Sequence, residues 1–214
     1  MKLYIKNLLF LICSLILLPG CGRVIDWTKS NFYQGEYIRK DDLISDARSY
    51  IKYKRIYDQF TIVGEFDVLW LCDNVRKIYT DINCSRTGKS QEQKNLFLRR
   101  QLEENNHFVS FYVLSLNDFI LGDKDSKWSI NLKVGDRIFE PVRIKTMELS
   151  SEYKEIFGKR FNKFKDPYIV SFNAKDLEDK FIIGDKTEKI TLLFKSIDKE
   201  FELNWDIKAS ISKK

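Results

Sequence analysis

His107 is the only histidine in this 214-residue chain, and that limits the chemistry the chain can host. A serine or cysteine nucleophile needs a base positioned beside it, and zinc sites draw on several His or Cys ligands. His107 stands where a helical pattern gives way to a strand pattern and reads as a turn residue. Two acidic dipeptides, Asp41 with Asp42 and Glu103 with Glu104, place carboxylates at consecutive positions. Neighbouring side chains on a helix point apart, so neither pair makes an acid–base dyad. Asp41 and Asp42 read instead as helix-starting residues at the positive end of the dipole. No catalytic residue is expected, and the chain reads as a non-enzyme.

The segment NCSRTGKS at 83–90 ends like a phosphate-binding loop, with Gly88, Lys89 and Ser90 in the required order. Asn83 stands where the first glycine belongs, and a helical pattern precedes it where a buried strand is needed. A solvated interhelical loop is therefore expected, and no nucleotide. Asp123 and Asp125 in GDKDSKW open like a calcium loop, yet Lys127 falls on a ligand position and Val134 where the bidentate glutamate belongs. A turn between strands is expected, with no metal and no other cofactor. In GKRFNKFK at 158–165, Lys159, Arg160, Lys163 and Lys165 interleave with Phe161 and Phe164. This run is either a solvated loop ahead of Pro167 or a patch that meets anionic lipid or an acidic partner.

The clearest chemical context belongs to Cys21. Lys2 and Lys6 precede an apolar run, Leu8 to Leu18, broken only by Ser14, which is the charge-then-apolar layout of a signal peptide. A spanning helix needs about 20 apolar residues, so this run is too short to cross a bilayer unaided. Pro19 and Gly20 stop the helix and leave extended backbone just before Cys21. The residues LPGC at 18–21 resemble the lipobox of bacterial lipoproteins, although Pro19 stands where that motif usually has Ala, Ser or Thr. The resemblance implies cleavage before Cys21, acylation of its thiol (diacylglycerol, with palmitate-type chains) and anchoring in the cell envelope. An uncleaved anchor and ordinary secretion are the alternatives. Gly22 rather than Asp follows the cysteine, which implies the outer membrane if the cell is Gram-negative. More than one acyl chain makes such attachment stable.

Removal of residues 1–20 would lower the formal charge from +6 to +4, because that segment holds two lysines and no acid. Such a mild balance does not suggest a nucleic-acid partner. Cys72 and Cys84 then remain, and they form either one disulfide or free thiols with Cys72 buried. One helix through both would separate them by about 18 Å, too far for a bridge.

Periodicity gives the elements that must position these residues. Leu43, Ile44, Ala47, Tyr50, Ile51 and Tyr57 recur at helical spacing opposite Arg48, Lys52 and Arg55, which predicts a helix over 41–57. Phe60, Ile62, Gly64 and Phe66 alternate as a strand. Val68, Leu71, Val75, Ile78 and Ile82 then predict a helix over 67–82, and a further helix is expected over 90–105 with Leu96, Phe97 and Leu102 as its apolar side. Six more strands follow. They centre on Phe111, on Ile130, on 138–149 with a bulge, on Val170, on Leu192 and on Leu203; helical turns are expected at 150–158. The fold expected is α+β: an antiparallel immunoglobulin-like β-sandwich with N-terminal helices and helices inserted after its first strand. The expected organisation is a signal peptide at 1–20, a lipid-anchored segment at 21–40, one domain at 41–209 and a frayed tail at 210–214. Val24, Ile25, Trp27, Phe32, Tyr33 and Tyr37 should pack, which predicts a short leash.

Three stretches, FDVLWLCDNVRKIY at 66–79, EYKEIFGKRFNKFKDPYIVSFNA at 152–174 and ITLLFKSIDKEFELNW at 190–205, resemble an uncharacterised group of bacterial lipoproteins. That resemblance implies no activity. The function expected is a membrane-anchored, non-enzymatic binding or structural module with an envelope protein as partner. The alternatives are an exported small-ligand or lipid carrier and an exported hydrolase.

Overall fold

The computed structural model describes residues 40–207. The apolar leader, Cys21, the segment up to residue 39 and the tail 208–214 lie outside them. Helix α1 (Lys40–Arg48) carries Asp41 and Asp42 in its first turn and Arg48 in its last, each complementing the dipole. It ends well short of the predicted 57, because strand β1 (Ile51–Asp58) takes over. Ile51, Tyr53, Ile56 and Tyr57 are β-branched or aromatic, and β1 pairs with β2 (Thr61–Trp70) from Ile51 opposite Leu69 to Asp58 opposite Thr61. Pairing along an edge outweighs a helical spacing that both structures can share.

Strand β2 is buried on both faces from Gly64 to Trp70. That burial removes the polar–apolar alternation, so the stretch resembles a helix start in sequence. The helix begins only at Asp73: α2 runs Asp73–Thr87 and stops at Gly88, whose φ of 64° gives the left-handed cap. Ser90 opens α3 (Gln91–His107) with a reciprocal capping box to Gln93.

The remaining strands are β3 (Phe108–Leu116), β4 (Ser129–Val134), β5 (Arg137–Phe139), β6 (Arg143–Thr146), β7 (Lys165–Asn173), β8 (Lys189–Lys195) and β9 (Glu200–Asp206). Helix α4 (Ser151–Phe157) and a 3-10 turn (Gly158–Arg160) precede β7. The described residues are α+β with two antiparallel sheets, ordered β1-β2-β3-β7-β6 and β5-β4-β8-β9. The bulge predicted within 138–149 is instead a change of sheet. β5 pairs with β4, β6 pairs with β7, and the chain crosses between them, which is why the alternation changes phase.

The facing sides of the sheets share one core. Phe66 of β2 lies 4.8 Å from Phe194 of β8 and 5.6 Å from Phe201 of β9, between ring centroids. A second core fills the outer face of the larger sheet, where Leu69 and Leu114 meet Ile44, Ala47, Val75, Ile78 and Ile156 of the helices. α3 buries no residue fully. It is held on α2 by the buried Arg76, which bonds Asn105 and Gln101 and pairs with Glu104 at 2.9 Å.

Candidate functional site

Five junctions meet at one end of the paired sheets: α1 to β1, β2 to α2, α3 to β3, and the ends of β7 and β9. Between them opens a cleft of about 860 Å³. Its buried lining includes Trp70, Leu71, Val109 and Trp205, whereas Lys77, Asn106 and Asp206 line it from exposed positions. The sequence dictates this mixture, since each strand brings a terminal residue and each helix a polar end turn to the same place: the last turns of α1 and α3 and the first of α2.

Tyr50 organises the site. Its backbone carbonyl accepts the Trp205 indole N–H at 2.8 Å, and its ring meets Trp70 edge-on at 6.5 Å. Asn74 donates to the Tyr50 hydroxyl at 3.3 Å and to Asp46 Oδ2 at 2.9 Å. Burial, with the nearby Cys72, raises the Tyr50 phenol above its ordinary value, so it stays a neutral hydrogen-bonding group. Asn105 donates to Asp73 at 2.7 Å on the adjoining wall.

Cys72 also lines the cleft, at the start of α2. Burial pushes its thiol up to about 11, so it is protonated at neutral pH and is no activated nucleophile. The cleft thus offers apolar surface and ordered hydrogen-bonding groups, which is the chemistry of holding a ligand.

The residues singled out in the sequence are dispersed. His107 ends α3 exposed beside the Phe108 ring, with its carbonyl accepting the Ala174 N–H. Glu103 is exposed and Glu104 turns to Arg76, so the two carboxylates do separate. Lys89 lies 4.3 Å over the Phe97 ring and bonds Asn83, while Ser90 is a helix cap; this corner joins two helices. Cys72 and Cys84 are free thiols at opposite ends of α2. Asp123 accepts the Lys124 N–H at 2.6 Å within its own turn, and among the described residues no group of His, Cys, Asp and Glu gathers that could hold a metal. Among them, too, no helix is long and apolar enough to cross a membrane.

The basic run at 158–165 divides. Arg160 and Lys165 turn toward Asp67, which is fully buried, at 2.8 and 2.5 Å; Lys165 also meets Glu65 at 2.6 Å, and Arg55 meets Glu65 at 2.7 Å. The Tyr53 ring lies within 6.0 Å of all three cations. Of the run's cations only Lys165 is buried; Arg160 stays exposed beside its bond to Asp67, and Lys159 and Lys163 face solvent. This network has no motif in sequence. Its one signal is two acids, Glu65 and Asp67, inside the otherwise apolar EFDVLW.

No known family model, curated protein or solved structure matches the chain. The resemblance of the three sequence stretches therefore brings it no family and no activity.

Proposed function

We propose that the chain is a lipid-anchored, non-enzymatic binding module of the cell envelope, tethered through Cys21, which holds a segment of an envelope protein in the cleft beside Tyr50. The observation that carries the binding reading is the cleft itself, with a buried apolar lining and an Asn74–Asp46–Tyr50 hydrogen-bond network already in place. Support for the tether is the sequence around Cys21. A small-ligand carrier is the second reading, favoured by the volume, about 860 Å³, which lies within the range of roughly 300–1,000 Å³ usual for ligand pockets.

We also read the two sheets as an immunoglobulin-like sandwich. The order β2-β3-β7-β6 corresponds to A-B-E-D and β5-β4-β8-β9 to C′-C-F-G, with β1 and the helices as additions. Trp128, immediately before β4, is buried against Phe66 and Phe201, as a tryptophan on strand C would be.

A photocrosslinking residue at Lys77, on the rim, tests the cleft in intact cells. One protein adduct that disappears on Asn74→Ala supports the protein partner; a co-purifying small molecule supports the carrier; neither, in cells where the chain is abundant, sinks the cleft. Cys21→Ser should abolish fatty-acid labelling, and normal labelling of that variant would overturn the anchor.

A further inference from the structure

The helices cover the outer face of the larger sheet where Leu69 and Leu114 meet them. Earlier on β2 the same face turns polar, with Glu65 and Asp67 beside Tyr53 and Arg55 of β1, Lys165 of β7 and Arg160 of the 3-10 turn. Five of these six side chains are charged and bonded in one row, from Arg55 through Glu65, Lys165 and Asp67 to Arg160. The middle of the row is buried. Its two ends keep 39 % and 47 % of their side-chain surface exposed, and the Tyr53 ring that both flank is exposed as well.

We propose that Arg55, Arg160 and Tyr53 form a phosphate-binding site, in which the two guanidiniums hold one tetrahedral oxyanion beside the tyrosine. The inference goes beyond the cleft and does not depend on it. Replacing a buried ion network by apolar residues is often neutral or stabilising, so packing alone does not call for Glu65 and Asp67 within EFDVLW. What the network does is fix two exposed guanidiniums in place, and groups held ready in this way lose little freedom on binding. Arg55 donates through Nε to Glu65 at 2.7 Å and through Nη1 to the Tyr57 hydroxyl at 3.4 Å, and Arg160 donates through Nη1 to Asp67 at 2.8 Å. Among the described residues no partner takes Arg55 Nη2, Arg160 Nε and Nη2, or the Tyr53 hydroxyl. The guanidinium carbons lie 5.8 and 5.2 Å from the centre of the Tyr53 ring, near enough for small rotations to bring both to one phosphate. Donors arriving from two separate arginines suit a tetrahedral oxyanion, whereas a planar carboxylate fits the fork of one. Charge agrees. Three cations of the row meet two acids, and Lys159, next to Arg160, faces solvent and adds to the surplus. Of the acids nearby, Asp58 is held by Lys199, and Asp166 projects from the opposite face of β7 to Lys165. Asp118 is exposed beside Asn117, which bonds the Lys163 carbonyl, so it offsets Lys163 and neither counts toward the site.

The test titrates inorganic phosphate into the full chain at constant ionic strength and follows the arginine Nε–H and tyrosine ring signals by NMR. Saturable shifts should appear at Arg55, Arg160 and Tyr53. Arg160→Lys keeps the charge but loses the fork, while Lys165 still holds Asp67, and it should weaken binding about tenfold. If that variant melts early, Tyr53→Ala, which breaks no ion pair, repeats the comparison and should weaken binding too. Glycerol 3-phosphate and dimethyl phosphate serve as further probes. Binding of the monoester alone supports the site and assigns it to a free or terminal phosphate; equal binding of the diester supports it and assigns it to a phosphodiester. Shifts that stay linear to about 50 mM, that sodium chloride reproduces, or that fall on Lys159 and Lys163 without Arg55 and Arg160 would each overturn the inference. So would an affinity that neither substitution changes.

Discussion

The indole N–H of Trp205 donates to the Tyr50 backbone carbonyl at 2.8 Å, joining residues 155 positions apart. Tyr50 precedes an edge strand of one sheet and Trp205 lies on an edge strand of the other, so this bond ties the two sheets together beside the cleft. β9 alternates strictly, with Phe201, Leu203 and Trp205 buried and Glu200, Glu202 and Asn204 exposed. Truncating such a tryptophan costs about 3–5 kcal/mol, whereas an exposed change costs about 0.5 kcal/mol or less. Trp205→Ala should therefore lower the urea midpoint strongly and Glu202→Ala barely. The reverse ranking would mean that β9 faces the other way.

The Lys165 network should set the pH range of stability. Burial works to raise the Glu65 carboxyl, but hydrogen bonds from Arg55 and Lys165 outweigh it and hold the group below its ordinary 4.5. Burial likewise works to lower Lys165, and bonds to Asp67 and Glu65 leave it above its ordinary 10.5. A depressed acid contributes stability above its unfolded value and loses it as pH falls through the folded one. A raised lysine contributes below its unfolded value and loses it as pH rises through the folded one. Denaturant melts should thus show a plateau through neutrality, falling below about pH 4.5 and again above about pH 10.5. Lys165→Met removes the cation shared by Glu65 and Asp67 and should cost about 3–5 kcal/mol at pH 7; an unchanged melt would show that Arg55 and Arg160 suffice.

Alternation made β3, β4, β7, β8 and β9 legible in the sequence, because each buries one face in the shared core and β-period patterns are local. The segment 50–57 was not legible as a strand. Tyr50, Ile51 and Tyr57 fit helical spacing equally well, and only pairing with Leu69 and its neighbours decides between the two. Cys72 was expected as a buried thiol and is half-buried, because it lines a cleft that the sequence did not reveal. That site gathers Tyr50, Asn74, Asn106 and Trp205 from four separate junctions, and no local pattern records which junctions meet. The Lys165–Asp67 pair spans 98 positions and was hidden for the same reason.

The thiols give a direct check on α2. Cys84 is buried and the Cys72 thiol is pushed up to about 11, so neither should react quickly with an aromatic disulfide reagent at pH 8 in the native chain. In denaturant both should react at ordinary rates, and reduction should leave the native thiol count unchanged. Fast native reaction at Cys72 would mean that the start of α2 is open, and a reduction-dependent count would mean a bridge.

Gly64 carries the last prediction, because it explains why a glycine interrupts the middle of a strand otherwise built from core residues. It lies opposite Ile56, where the β1–β2 register shifts, and its side of β2 faces the shared core. A methyl group there would lie 2.9 Å from Phe66 Cε2 and 3.0 Å from Trp128 Cζ2, closer than packed carbons tolerate. The Trp128 indole has little freedom to retreat, since its N–H donates to the Val63 carbonyl at 3.2 Å and its ring stacks edge-on against Phe66 and Phe201. Gly64→Ala should therefore behave as overpacking and destabilise by about 1–3 kcal/mol, despite the higher strand propensity of alanine. Pairing it with Trp128→Phe, which removes the clashing ring, should recover part of that loss in urea melts. A neutral Gly64→Ala would mean that Trp128 does not pack over β2, and the closure of the core at this end would have to be redrawn.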